Sequence, residues 1–184
     1  NYSFYHLPRP STYQNWAAQV PENFLFAVKA SRYITHIKRL KDVEEPWRLF
    51  LENAATLGGK LGPVLLQFPP SFKMNLDALR AFLDLSRRLI GRRRIRLAME
   101  FRHASWFAPE VLELMRERKA ALVIAQSKRY PQAPLVATAS FVYLRFHGPE
   151  QLFASQYSEA ELKFWAGHIQ EWRSAGLSVY AYFN

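Results

Sequence analysis

Glu100-Phe101-Arg102-His103-Ala104-Ser105-Trp106 sets a carboxylate, a guanidinium and an imidazole at the end of an otherwise apolar run, residues 96–101. The pattern returns in Tyr143-Leu144-Arg145-Phe146-His147-Gly148, and Lys29 in Phe26-Ala27-Val28-Lys29-Ala30-Ser31 is a third instance. Burying a charge is costly unless it is paired or used, so charges carried to the ends of apolar strands point to one shared site. Glu100 and His147 are the candidate catalytic pair, a carboxylate as base and an imidazole that titrates near neutral pH as acid. Lys29, Arg39, Arg102 and Arg145 are candidate oxyanion holders, because guanidinium grips phosphate or carboxylate through two parallel hydrogen bonds. His36, Gln67, His103, Trp106, Tyr182 and Asn184 complete the predicted substrate-binding set. The competing account is a plain ion pair, Glu100 with Arg102, satisfying a structural interior. Lys29 and Arg145 weigh against it, since they leave more cations than carboxylates, and an anionic guest restores the balance.

A divalent metal is the alternative to an anion. His36, His103 and His147 with Glu100 have the ligand chemistry of zinc or manganese. No short-range ligand spacing supports it and the nearby cations repel a dication, so no cofactor is expected.

These side chains need strands to carry them. Apolar runs bounded by turn residues predict strands over 24–30, 62–68, 96–101, 120–125, 141–146 and 177–183. Helical spacing separates most of them: Trp16, Ala17 and Val20 after a cap at Ser11 with Gln14; Trp47, Phe50, Leu51 and Ala54; Leu76, Leu79, Phe82, Leu83 and Leu89; and Val111, Leu114 and Met115 after Pro109. Ser158-Glu159-Ala160-Glu161 is a capping box ahead of Leu162, Trp165, Ala166, Ile169 and Trp172, with Gly176 as the stop. Alternation of this kind implies a parallel sheet. Period-two alternation puts Glu100 with Arg102, Arg145 with His147, and Tyr180 with Tyr182 and Asn184 on common faces. Polar groups thus gather at the carboxyl ends of five strands, where a barrel builds its site. No dinucleotide or nucleoside-triphosphate glycine loop is present, and the Leu57–Gly62 turn reads as a helix stop.

Composition narrows the classes. At 49% hydrophobic and 15% aromatic the chain is globular and expected to be one domain, 1–184. Without cysteine there is no thiol nucleophile, zinc–thiolate site or iron–sulfur cluster, and a cytoplasmic location is expected. No run approaches the roughly 18 apolar residues of a membrane span, so no membrane partner is expected, and nothing indicates an oligomeric state. The net charge of +10 suggests nucleic acid, yet six of those charges are Arg87, Arg88, Arg92, Arg93, Arg94 and Arg96 at a helix end and the following connection. A solvated helix end, where the dipole favours cations, is the preferred account of that run.

Several segments together resemble the YecE-like family, known as domain of unknown function 72. They are Ser3–Pro8, Phe26–Ala30, Ile34–Leu40, Lys60–Pro70, Glu100–Trp106, Arg145–Gly148 and Val179–Asn184, and they cover nearly the whole chain. The resemblance implies an α/β, TIM-type (β/α)8 barrel, here lacking the family's first strand and helix and its last helix, with Asn1–Tyr5 as the end of a strand. It supplies no settled activity. The chain departs from the family at Gln126, where an aspartate is usual, and at His6, where an arginine is usual. The expected function is an enzyme, a hydrolase or phosphoryl transferase, acting on a phosphate-containing, nucleotide-like substrate at the carboxyl ends of the strands. The alternatives are a noncatalytic nucleic-acid-binding module using the basic loop His36, Lys38, Arg39 and Lys41, or an enzyme on a sugar or carboxylate.

Overall fold

A helix precedes each strand as the periodicity predicts, except that the strand Phe141–Phe146 is reached from Ala121–Gln126 through a loop. The computed structural model describes residues 2–148 and 157–183. The chain forms two compact units, Asn1–Pro69 with Asn75–Ala98, and Pro70–Met74 with Met99–Asn184.

In the first unit α1 (Tyr2–Tyr5), α2 (Pro10–Ala18), β1 (Phe26–Lys29), α3 (Glu44–Ala55), β2 (Leu61–Gln67) and α4 (Leu76–Ile90) lead to β3 (Leu97–Glu100). The first half of β3 completes the order β1-β2-β3. Trp47, Phe50, Leu51 and Ala54 recur at helical spacing and are buried on α3. Trp47 stacks on Phe50 and meets Phe82 of α4, and its indole donates to Ser86 Oγ at 2.9 Å, satisfying an N–H taken out of water. Asn75 caps α4 by accepting from Ala78 N, and Gly91, at φ 57°, ends it. β1 and β2 pair in parallel with a register shift between Phe26 and Val28. Gly62 permits that shift, since a Cβ there would lie 2.9 Å from the Phe26 carbonyl oxygen.

The second unit continues through α5 (Pro109–Glu117), β4 (Ala121–Gln126), β5 (Phe141–Phe146), α6 (Glu159–Ser174) and β6 (Ser178–Phe183). Strand order is β3-β4-β5-β6, and β4 with β5 and β5 with β6 pair in parallel. Alternation divides this sheet into two faces. Ile124, Val142, Leu144 and Phe146 pack with Trp165 and Trp172 of α6 into an apolar core. Tyr143 and Arg145 take the other face, in register with Tyr180 and Tyr182. The predicted capping box forms in full: Ser158 Oγ accepts from Glu161 N while the Glu161 carboxylate accepts from Ser158 N.

Three expectations are corrected. The eight-stranded TIM-type barrel is not what is found: the described residues hold six strands in sequence order, an α/β fold with a parallel sheet. Residues 2–5, expected to be strand, form the short helix α1, and Asn1 lies outside the described residues. Instead of entering a ladder beside β1, α1 packs on it through side chains, the Ser3 hydroxyl donating to the Lys29 carbonyl at 2.7 Å and the Phe4 ring lying 3.8 Å from Lys29 Nζ. Third, Ser11 is not the cap of α2. Pro10 occupies the first helical turn, where its missing N–H costs nothing, so the N-cap falls on Arg9. Among the described residues no helix is long and apolar enough to cross a membrane.

Trp165 and Trp172 link α6 to the sheet, so Trp165→Ala is expected to lower the stability of the second unit by about 3–5 kcal/mol. Urea unfolding followed by circular dichroism checks this, and a loss below about 1 kcal/mol, the size of an ordinary surface change, would contradict the core assignment.

Candidate functional site

Glu100 ends β3 with no exposed surface, in an environment that would neutralise an isolated carboxyl. Two guanidiniums keep it charged. Arg102 donates from Nε to Oε1 at 2.9 Å, and Arg145 of β5 donates to Oε2 in a short, buried contact. Burial pushes the Glu100 carboxyl up, but Arg145 first and Arg102 second, by charge and by hydrogen bonding, outweigh it and hold the group below its ordinary value of 4.5. His147 Nε2 lies 4.0 Å from Glu100 Oε1, itself only 2% exposed. Two arginines and an imidazole therefore converge on one carboxylate.

The Arg145–Glu100 bond spans an intervening strand, because β4 lies between β3 and β5. That is two strand spacings, about 9.5 Å, within an arginine's reach only if nothing stands in between. The β4 residue in register with Arg145 is Ala125, whose methyl group leaves the passage clear. Arg102 is fixed from its other side by Tyr130, which accepts from its guanidinium at 3.1 Å and lies under it at 4.3 Å from the ring centroid. Tyr143 and Tyr182 stack at 5.1 Å beside Arg145 on the same sheet face. Burial, then the neighbouring Tyr182, pushes the Tyr143 phenol well up, so it stays protonated and able to donate. At the end of β5 the chain turns at Gly148, φ 98°, whose N–H donates to the Tyr157 hydroxyl, and that hydroxyl donates to Gln126 Oε1 at 2.7 Å.

A second polar group belongs to the first unit. Lys29, at the end of β1, donates to Gln67 Oε1 at the end of β2, 2.8 Å away, and rests on the Phe4 ring. The following loop begins with a π-helical turn, Tyr33–Ile37, in which His36 Nδ1 and Thr35 Oγ1 are 2.9 Å apart. Arg39, Leu40 and Asp42 then adopt positive φ (49°, 70° and 49°) without glycine, a strain that clusters at ligand sites.

Within the second unit the structure thus brings Glu100, Arg102, Arg145 and His147 together, with Tyr182 adjacent, and within the first it brings Lys29 to Gln67, followed by the His36–Arg39 loop. His103 Nδ1 accepts from Ser105 N as the cap of a short helical turn, Ala104–Phe107. Trp106 is fully buried, stacked on Phe101 and donating to the Phe72 carbonyl, which is a packing position. Asn184 lies outside the described residues. Tyr130, Tyr143 and Ala125 were not singled out in the sequence; alternation along β5 was the available signal for Tyr143, while Tyr130 comes from a loop without periodicity. Among the described residues no group of three or more metal-ligating side chains converges.

A family profile described as "Protein of unknown function DUF72" matches residues 1–184. The chain belongs to this family. The DUF72 chain is 28% identical to the UPF0759 protein YunF of Bacillus subtilis over 212 aligned positions, covering 99% of this chain and 74% of that protein. It is 31% identical to the UPF0759 protein YecE of Escherichia coli K12 over 109 positions, 59% of this chain and 38% of that protein. The crystal structure of a DUF72 family protein from Enterococcus faecalis V583 matches at TM-score 0.83 and 24% identity, over 99% of this chain and 75% of that one. A second, from Thermotoga maritima MSB8, matches at TM-score 0.78 and 27% identity, over 98% and 74%. These names carry a fold and a family, and none of them states a reaction or a ligand.

Two predictions follow from the geometry at Glu100. Its folded-state pKa lies below the unfolded one, so its stabilising contribution is fully present above about pH 4.5 and is lost as pH falls through the depressed value. Glu100→Gln is expected to cost about 3–5 kcal/mol at neutral pH and to flatten the acid limb of stability against pH, measured by urea midpoints. An acid limb that is unchanged would contradict the pairing. Ala125→Leu is expected to cost about 1–3 kcal/mol by crowding the Arg145 path, whereas Ala125→Gly should preserve the ion pair.

Proposed function

We propose that the chain is an enzyme acting on a phosphate-containing substrate, a nucleotide or nucleic-acid-like anion, by hydrolysis or phosphoryl transfer. The observation that carries this reading is the convergence of Arg102 and Arg145 on a single buried carboxylate at the carboxyl end of a parallel sheet. Ligands of parallel α/β sheets are bound at that end. Two guanidiniums against one carboxylate leave a net positive centre, and a phosphoryl oxygen is the complement of such a pair.

The geometry supports the following residue roles. A carboxylate held this acidic is a weak base, so Glu100 acts as the fixed counter-ion that orients both arginines. Arg102, the more exposed of the two, with 16% of its side chain accessible against 7% for Arg145, meets the oxyanion first. Arg145 stabilises the charge that develops in the transition state. His147, beside them, carries the proton to or from the leaving or attacking oxygen. Tyr143 and Tyr182 flank the substrate and donate to it. Inorganic phosphate or a nucleotide at a hundredfold its dissociation constant should stabilise the protein by about 2.7 kcal/mol, readable as a shift in melting temperature. Arg102→Gln, which leaves the Glu100–Arg145 pair in place, is expected to abolish the shift. His147→Gln should keep it and lower turnover by about a hundredfold or more. Absence of a shift with every phosphorylated compound, or one that survives in Arg102→Gln, would overturn the reading; a shift with carboxylates alone would move the substrate to that class.

A further inference from the structure

The amino ends of the first unit's strands carry another cationic surface, apart from the residues assigned above. A cleft of about 670 Å³ lies where Leu25 precedes β1, Leu61 opens β2 and Arg96 precedes β3; Gly58, Gly59, Arg93 and Arg94 also line it. Among the described residues no carboxylate lines this cleft.

The helix dipole accounts for only part of the arginine run. Arg87 and Arg88 sit in the last turn of α4, where a cation is favoured, and Arg88 pairs with Glu44 at 2.7 Å. Arg92, Arg93 and Arg94 lie beyond Gly91, where the chain has left the helix and the dipole effect fades, although Arg93 reaches back to donate to the Leu89 carbonyl of α4 at 3.1 Å. All three are exposed and form no ion pair among the described residues, although Arg48 in the same unit pairs with both Glu45 and Glu52. Like charges gathered without counter-ions repel one another, a cost that a bound polyanion removes.

The cleft wall adds a second observation. Gly59 has an ordinary φ, and a Cβ built on it would meet nothing within 4 Å, so neither strain nor packing within the protein calls for glycine there. Bare backbone on a basic cleft wall allows phosphate to approach closely. Phe24, 44% exposed and set edge-on to Phe26 at 4.9 Å, directly precedes Leu25 of the cleft wall and offers an aromatic face beside it. The volume lies in the range of about 300–1,000 Å³ that holds a compact ligand, room for a short stretch of one strand and not for a duplex.

We infer that this cleft binds the phosphate backbone of single-stranded nucleic acid, with Arg93 and Arg94 of its wall and the preceding Arg92 on the phosphates and Phe24 stacking on a base. The combination of a positive groove with an aromatic platform is the general means of holding single strands without reading sequence.

The test is fluorescence anisotropy with labelled oligothymidine and oligouridine of about 20 nucleotides, titrated between about 50 and 200 mM salt. Arg92→Gln/Arg93→Gln/Arg94→Gln is compared with the charge-matched control Arg9→Gln/Arg80→Gln/Arg116→Gln, drawn from other exposed arginines. Circular dichroism melts of both variants should overlay the wild type. The cleft variant is expected to lose at least about tenfold in affinity, and its plot of log affinity against log salt should flatten by about two, from three contacts at roughly 0.7 each. Phe24→Ala should weaken binding without changing that slope. Equal losses in both triple variants would reduce the effect to net charge and overturn the site. So would wild-type binding that the cleft variant retains, no binding by wild type at low salt, or binding to anionic lipid vesicles in place of the oligonucleotides.

Discussion

A carboxylate with no exposed surface must be either neutral or held. Glu100 is held, and the second unit is arranged around that requirement. Its two oxygens are divided between Arg102 and Arg145, so neither lone-pair set is stranded, and each arginine is braced by the same carboxylate. Removing one partner of such a buried pair costs more than the pair contributes, because the remaining charge stays in low dielectric. The consequence is a pair of guanidiniums whose positions are set by the protein itself, the preorganisation that the proposed oxyanion-holding role requires.

Strand alternation is what brings that pair together. The same period of two that turns Val142, Leu144 and Phe146 toward Trp165 and Trp172 turns Tyr143, Arg145 and His147 to the opposite face. One residue of slip in β5 would exchange the faces and bury the cations against α6. The apolar core therefore fixes the register of the polar centre, and Ala125 on β4 shows that the centre in turn constrains the strands: the side chain that would ordinarily add packing is kept small where an arginine must cross.

Much of this was legible in the chain because it is local. The strands over 141–146 and 177–183 and the buried residues of α3 and α5 follow from periodicity, and Ser158-Glu159-Ala160-Glu161 from side chains that satisfy the first N–H groups of a helix. The pairing of Glu100 with Arg102 followed from their separation of two residues. What the sequence did not show is non-local or conformational. Tyr130 reaches Arg102 from a loop, 28 residues on. Trp106 follows a charged motif and so looked available to a ligand, yet its indole finds the Phe72 carbonyl and it packs inside. The π-helical turn at Tyr33–Ile37 leaves no trace in the residue pattern. The barrel was inferred from polar groups at the ends of five strands as well as from resemblance, neither of which counts strands, and residues 2–5 curl into a helix where it required a strand.

The most direct test of the central claim is the crystal structure of the protein grown with phosphate. The account predicts a phosphate whose oxygens accept from both Arg102 and Arg145, with the Arg145–Glu100 bond retained and His147 within hydrogen-bonding distance of a phosphate oxygen. A phosphate that leaves these arginines untouched, or binds only after Glu100 has released Arg145, would contradict it.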